Sequence, residues 1–161
     1  MMTSPSCSSG TGIAVGPLSY ELFAGYLRMS ELVKKNPSPS VVAWFNRQEP
    51  EHLFMSRVSI AEIQKGLHKI QAAQPERHRR LSLWLKRLEA SFSGRVLPLS
   101  DSVLDDWARL SAEAEMRGRK LAVMDGLIAA TATRHQLQLV TRNVDDFDIP
   151  NLMVLNPYIE A

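Results

Sequence analysis

The chain contains a single cysteine, Cys7, and so can form no internal disulfide. This excludes a disulfide scaffold and a cysteine-based zinc site, and it suits a reducing, cytoplasmic compartment. No apolar run approaches the roughly 20 residues that a membrane helix needs, and the N-terminus has neither the basic nor the apolar region of a signal peptide. A non-exported protein without membrane attachment is expected. An excess of one charge sign is missing as well. The 19 basic and 17 acidic side chains leave a net +2, which excludes a polycationic nucleic-acid coat but not a local basic patch. The four histidines, His52, His68, His78 and His135, are scattered without metal-ligand spacing, which argues against zinc and against a Ser-His-Asp triad.

The first 19 residues, MMTSPSCSSGTGIAVGPLS, carry no charge and are rich in Ser, Thr, Gly and Pro. Such a stretch buries too little to offset the entropy lost on ordering, so residues 1–19 are predicted to be a disordered tail. The composition changes at Tyr20. With 161 residues in all and 45% hydrophobic content, the remainder, 20–161, is long enough for one domain with a sizeable core and too short for two ordinary ones.

Strand and helix patterns alternate along this domain. A short helix, VVAWFNRQ, follows the breaker NPSPS; EHLFMSRVSI reads as a buried strand, and Ser59 then opens a helix IAEIQKGLHKIQAA. The helix PERHRRLSLWLKRLEASF has an apolar face of Leu81, Trp84, Leu85 and Leu88, with its basic residues largely elsewhere as a solvated face. GRVLPLS is the next strand, DSVLDDWARLSAEAEMRG a helix closed by Gly118, and residues 124–135 another helix. The strands LQLVTRN and MVLN complete the chain. The economical fold is α/β, a sandwich around a mainly parallel sheet. No internal repeat is present.

In open parallel sheets, ligands bind at the carboxyl ends of the strands. Glu62 follows one strand, Asp125 stands in the first turn of a helix, and Asn143, Asp145 and Asp146 follow the strand LQLVT. Carboxylates gathered in one cleft repel each other unless a cation neutralises them, which points to a hard ion such as Mg²⁺, with Mn²⁺ as the alternative. Each acid also has an ordinary explanation. SIAE is a capping box, with Ser59 as N-cap and Glu62 at N3, and on spacing alone that reading is preferred. Asp125 suits the helix dipole, although the small neighbours Gly126, Ala129 and Ala130 leave room for a backbone or ligand to approach. NVDDFD is an ordinary polar turn by pattern. Asp101, Asp105 and Asp106 are assigned to capping and dipole compensation.

The ordered segments VSIAEIQKGL, RLSAEAEMRGRKLAVMDGLIAATATRHQLQLVTRNVDDF and VLNPY resemble the PIN-domain ribonucleases of bacterial toxin–antitoxin pairs, the VapC or FitB-like toxins. The likeness runs from about Met29 to Tyr158. It implies a three-layer α/β/α sandwich and a Mg²⁺-dependent endoribonuclease acting on cytoplasmic RNA. It also implies a cognate antitoxin whose tail covers the site. By position, Glu62 matches the acid of the family's AEI motif and Asp125 that of its MDGLIAAT motif. Both are implied metal ligands. The last ligand falls at Asn143 or Asp146, with Thr141 beside it shaping the site and basic residues such as Arg142 holding phosphates. The apolar segments VVAWF and SLWLKRL, with Trp44, Phe45 and Trp84, suit a homodimer contact or an antitoxin groove, and core packing equally well.

One position departs from the family pattern. Its first strand ends in a motif similar to Leu-Leu-Asp-Thr-Asn or Cys-Val, followed by Ile or Val, Ser and Glu. Here FAGYLRMSEL stands in its place, with Met29, Ser30, Glu31 and Leu32 aligned and Gly25 where the aspartate belongs. Glu21 lies four residues upstream, about 13 Å away along a strand, and is a poor substitute. Phe23 to Arg28 can be encoded so that the same bases, read one position later, spell Leu-Leu-Asp-Thr-Cys-Val. Residues 20–28 are therefore read as an out-of-frame stretch, by indel or sequencing error. The competing expectation to an active toxin is a catalytically impaired PIN domain that only binds an antitoxin or RNA. A DNA-binding accessory protein has no helix-turn-helix pattern in its favour.

Overall fold

Three short apolar segments lie side by side and parallel in a computed structural model, which describes residues 22–24 and 36–159. They are β1 (Leu22–Ala24), β2 (Leu53–Ser56) and β4 (Gln138–Val140). With β3 (Val96–Leu97) and β5 (Val154–Leu155) they form a sheet of order β3-β2-β1-β4-β5, and every pairing is parallel. The register sets Phe23 beside Phe54 on one side and Leu139 on the other, and Ala24 beside Val140. The predicted tail over 1–19, Cys7, Glu21, Gly25 and the stretch MSEL lie outside the described residues.

Parallel strands cannot be joined by tight turns, so helices make the crossovers. They are α1 (Pro39–Asn46), α2 (Arg57–Ile70), α3 (Pro75–Ser91), α4 (Asp101–Met116) and α5 (Val123–Arg134). A 3-10 turn, Val144–Phe147, links β4 to the last segment. Successive strand residues face opposite sides of a sheet. Met55 and Val140 pack with Val41, Trp44, Phe45, Leu85 and Phe92, whereas Phe54 and Leu139 pack with Val103, Leu110, Ile128 and Phe147. Both faces are therefore covered, α1 and α3 on one and α4 and α5 on the other. This is the expected three-layer α/β/α sandwich.

One local expectation needs correction, and one open choice narrows. The strand before α2 is shorter than EHLFMSRVSI suggests: it ends at Ser56, whose Oγ accepts a hydrogen bond from the Val58 amide at 3.0 Å and caps α2. Ser59 is inside that helix and fully buried. The continuous burial of Val58, Ser59 and Ile60 is what makes the first helical turn read as strand. The open choice concerns Trp44, Phe45 and Trp84, where by sequence core packing stands level with a homodimer contact or an antitoxin groove. Trp44 and Phe45 are buried and meet edge to face with ring centroids 5.0 Å apart, and Trp84 is partly buried against the same core, so packing accounts for all three. Among the described residues, no helix is long and apolar enough to cross a membrane.

Candidate active site

The strand order reverses about β1, which starts one half of the sheet toward β2 and the other toward β4. Crevices at such switch points, beyond the carboxyl ends of the strands, are where open α/β sheets bind ligands. Three segments carry the candidate acids.

Glu62 comes from α2. Because Ser56 is the cap, Glu62 lies six residues past it, too far to reach back to its amide, and the capping-box explanation falls. Asp125 is the third residue of α5, a helix whose N-cap, Ala122, has no side chain with which to cap it. Asp146 sits in the 3-10 turn after β4, which is tied by a bond from the Asp146 amide to the Asn143 carbonyl at 3.3 Å. Among the described residues, none of the three carboxylates has a hydrogen-bond or ion-pair partner.

Their electrostatics link them. Burial raises the Asp125 carboxyl above the usual aspartate range, and the negative charge of Asp146 raises it further. Burial also raises Glu62, the charge of Asp125 adds to this, and Lys65 partly opposes it. Glu62, Asp125 and Asp146 thus form one chain of mutually repelling acids. Asn143 carries no charge to add to it. It is exposed, its amide donates to Thr141 Oγ1 at 3.2 Å, and its carbonyl closes the turn that carries Asp146. Of the two residues expected at the last corner, Asp146 is the one brought to the acids.

A pocket of ≈ 130 Å³ opens beside Asp125 and is lined by Arg119, Lys120, Leu121, Asp145 and Asp146 among others. One water needs roughly 10–15 Å³ of such space, so the pocket has room for a hydrated ion. The donors are all carboxylate oxygens, the chemistry of Mg²⁺, which keeps several waters and is held through one or two protein carboxylates. No three His, Cys, Asp or Glu side chains close into a compact metal-binding group among the described residues. Two carboxylates, Asp125 and Asp146, on one pocket suit a hard ion that keeps most of its waters. One turn before Glu62, the buried Ser59 Oγ has no hydrogen-bond partner.

The surroundings explain several other motifs. Gly126 does not make room for a ligand: a Cβ there would lie 2.9 Å from Trp107 Cδ1 and Nε1, so the glycine admits the Trp107 indole against the first turn of α5. Asp106 does more than offset a dipole. It pairs with Arg134 Nε at 2.8 Å and Arg109 at 3.3 Å, joining α4 to α5. The closing VLNPY supports Arg142. Asn156 Nδ2 donates to the Arg142 carbonyl at 3.3 Å, and the Arg142 guanidinium lies 5.8 Å from the Tyr158 ring centroid. Thr141 is buried beside it, with its amide bonded to the Leu155 carbonyl at 2.9 Å.

Comparison with known proteins agrees with this architecture. Residues 29–150 match the PIN domain family. The VapC ribonuclease Y4jK of Sinorhizobium fredii is 36% identical over 137 residues, covering 83% of this chain and 94% of the relative. Toxin FitB of Neisseria gonorrhoeae is 31% identical over 132 residues, covering 81% and 93%. Among solved structures, FitAB bound to an IR36 DNA fragment superposes with a TM-score of 0.79 at 27% identity, covering 85% of this chain and 95% of that one. The family match begins at Met29, where the pattern resumes after FAGYLR, and spans more than half of the chain. The chain belongs to the PIN-domain family.

Proposed function

We propose that this protein is a divalent-metal-dependent endoribonuclease, a toxin that cleaves RNA in the cytoplasm and is held in check by a cognate antitoxin. The observation that carries this reading is that Asp125, from α5, and Asp146, from the turn after β4, line one pocket without an ion pair to neutralise them among the described residues, with burial and the charge of Asp146 raising the Asp125 carboxyl and Asp125 in turn raising Glu62. Similarity to a VapC ribonuclease and to toxin FitB supports the RNA substrate and the toxin role. The FitAB and FitAcB structures support an antitoxin partner.

Asp125 and Glu62 would hold the ion, with Asp146 completing the negative field. A bound Mg²⁺ or Mn²⁺ supplies charge neutralisation at the scissile phosphate and a water of lowered pKa. The protein's own side chains do the rest. Asp125, in the first turn of α5, lies near the positive end of the helix dipole, which favours its ionised form against the burial and repulsion that oppose it. Glu62 orients water at the edge of the site. Arg142, held by Tyr158 and Asn156, offers a guanidinium to the RNA backbone, which fixes register without reading sequence.

Conversion of Asp125 to Asn removes charge while conserving volume, so metal-stimulated RNA cleavage should vanish with the fold intact; full activity in D125N would return Asp125 to a dipole role. The antitoxin is tested by co-expression with the small open reading frame adjacent to the gene. A stable complex and relief of growth inhibition are expected. A protein that is harmless alone and binds no such product would remove the toxin assignment.

A second reading has its own observation. Gly25 follows the last residue of β1, the central strand, where the family's first aspartate belongs, and glycine offers no donor. On this reading the chain is a weakened nuclease or solely a binding protein, and Gly25→Asp with Tyr26→Thr restores metal binding and cleavage together. Resequencing decides whether residues 20–28 arose from a shifted frame.

A further inference from the structure

We infer that Arg119 is a positioning residue that braces the Asp146 turn against Asp125 and thereby sets the divalent-cation affinity of the site. This role rests on the proposal that the Asp125 site binds a cation.

The brace begins with a helix cap. Gly118 has φ +73°, its amide donates to the Glu115 carbonyl at 2.9 Å, and the Arg119 amide donates to the Ala114 carbonyl at 2.9 Å. These two bonds are a Schellman motif, which ends α4 in one defined direction. The motif sends Arg119 across to the segment after β4. There its guanidinium forms an ion pair with Asp148 and donates to the Asp145 carbonyl at 3.0 Å. These contacts fall on both sides of Asp146. The fork geometry of a guanidinium suits such a two-point hold, which an ammonium on a flexible stem does not reproduce.

Other features of the turn make the brace necessary. Val144–Phe147 has no side-chain N-cap, and the Asp146 carboxylate has no ion-pair partner among the described residues. Asp125 and Asp146 repel one another, so an unrestrained turn relaxes by moving Asp146 outward. Arg119 opposes that movement from the pocket wall that it shares with Asp125, Asp145 and Asp146. Its guanidinium and Asp148 are both exposed, so the pair adds little to global stability. Its effect is local.

The sign of one measurement separates a brace from plain electrostatics. Arg119→Ala removes a positive charge beside a cation site, and charge alone would then tighten Mn²⁺ binding. Loss of a brace weakens it. By titration calorimetry on the full chain, R119A is expected to bind Mn²⁺ roughly 10-fold more weakly, the low end of the outer-shell range because Arg119 holds the residues beside Asp146 and not a ligand itself. Arg109→Ala, which deletes the pairs to Asp106 and Glu113 within α4, serves as the control and should leave binding unchanged. In metal-free protein, hydrogen exchange should quicken over residues 143–149 in R119A alone, with the thermal midpoint unchanged. Equal or tighter Mn²⁺ binding by R119A, or unaltered exchange over 143–149, overturns the brace. Wild-type protein that binds no Mn²⁺, or binding that survives D125N, overturns the cation reading instead.

Discussion

Asp125 and Glu62 both have carboxyls raised by burial first and by a neighbouring acid second. The raised direction fixes the pH dependence. A group whose folded pKa lies above its unfolded value contributes stability that is fully present below the unfolded pKa and is lost as pH rises through the folded one. In the metal-free protein, the acid chain therefore costs stability at neutral pH, and acidification relieves it. Comparing thermal midpoints in chelator, D125N should match or exceed wild type at about pH 7, with the difference shrinking toward about pH 4, where free aspartate is itself half protonated. A wild type that gains on D125N as pH rises would mean that Asp125 is neutralised by a protein cation. At this scale the sequence singles out Asp125 and Glu62 as candidates by motif, but not Arg119. Its contact with Asp148 spans 29 residues and depends on the direction in which Gly118 ends a helix, which no local pattern records.

Elements were legible where their periodicity was long and less so where burial was continuous. α3 and α4 show one apolar face each and fall close to their expected limits. The β2–α2 junction does not, because Val58, Ser59 and Ile60 are all buried at the start of the helix. Two serines three residues apart then compete for the cap. The structure assigns it to Ser56, and paired substitutions test this. Ser56→Ala should cost roughly 0.5–2 kcal/mol in urea unfolding, the usual loss for an N-cap. Ser59→Ala should be nearly neutral or mildly stabilising, since it removes a buried hydroxyl without a partner. The reverse order would restore the SIAE capping box and with it the ordinary explanation of Glu62.

For the whole molecule, the alternation of strands and helices gave the fold class, and the sheet order explains where the acids meet. The strand order reverses about β1, and α2, α5 and the turn after β4 each supply one of the acids linked through Asp125. The sequence could not show which of Asn143 and Asp146 joins them, because both lie in one polar turn and only its folded direction distinguishes them. The central proposal is that this Asp125-centred cluster is a divalent-metal nuclease site, which on the second reading is weakened by glycine at position 25. Its most direct test is the Mg²⁺-dependent cleavage rate of a labelled RNA, measured side by side for wild type, D125N and the Gly25→Asp, Tyr26→Thr variant, with a chelator control. The account predicts slow, chelator-sensitive cleavage by wild type, none by D125N and faster cleavage by the double variant; D125N as active as wild type, or a double variant no faster than wild type, would contradict it.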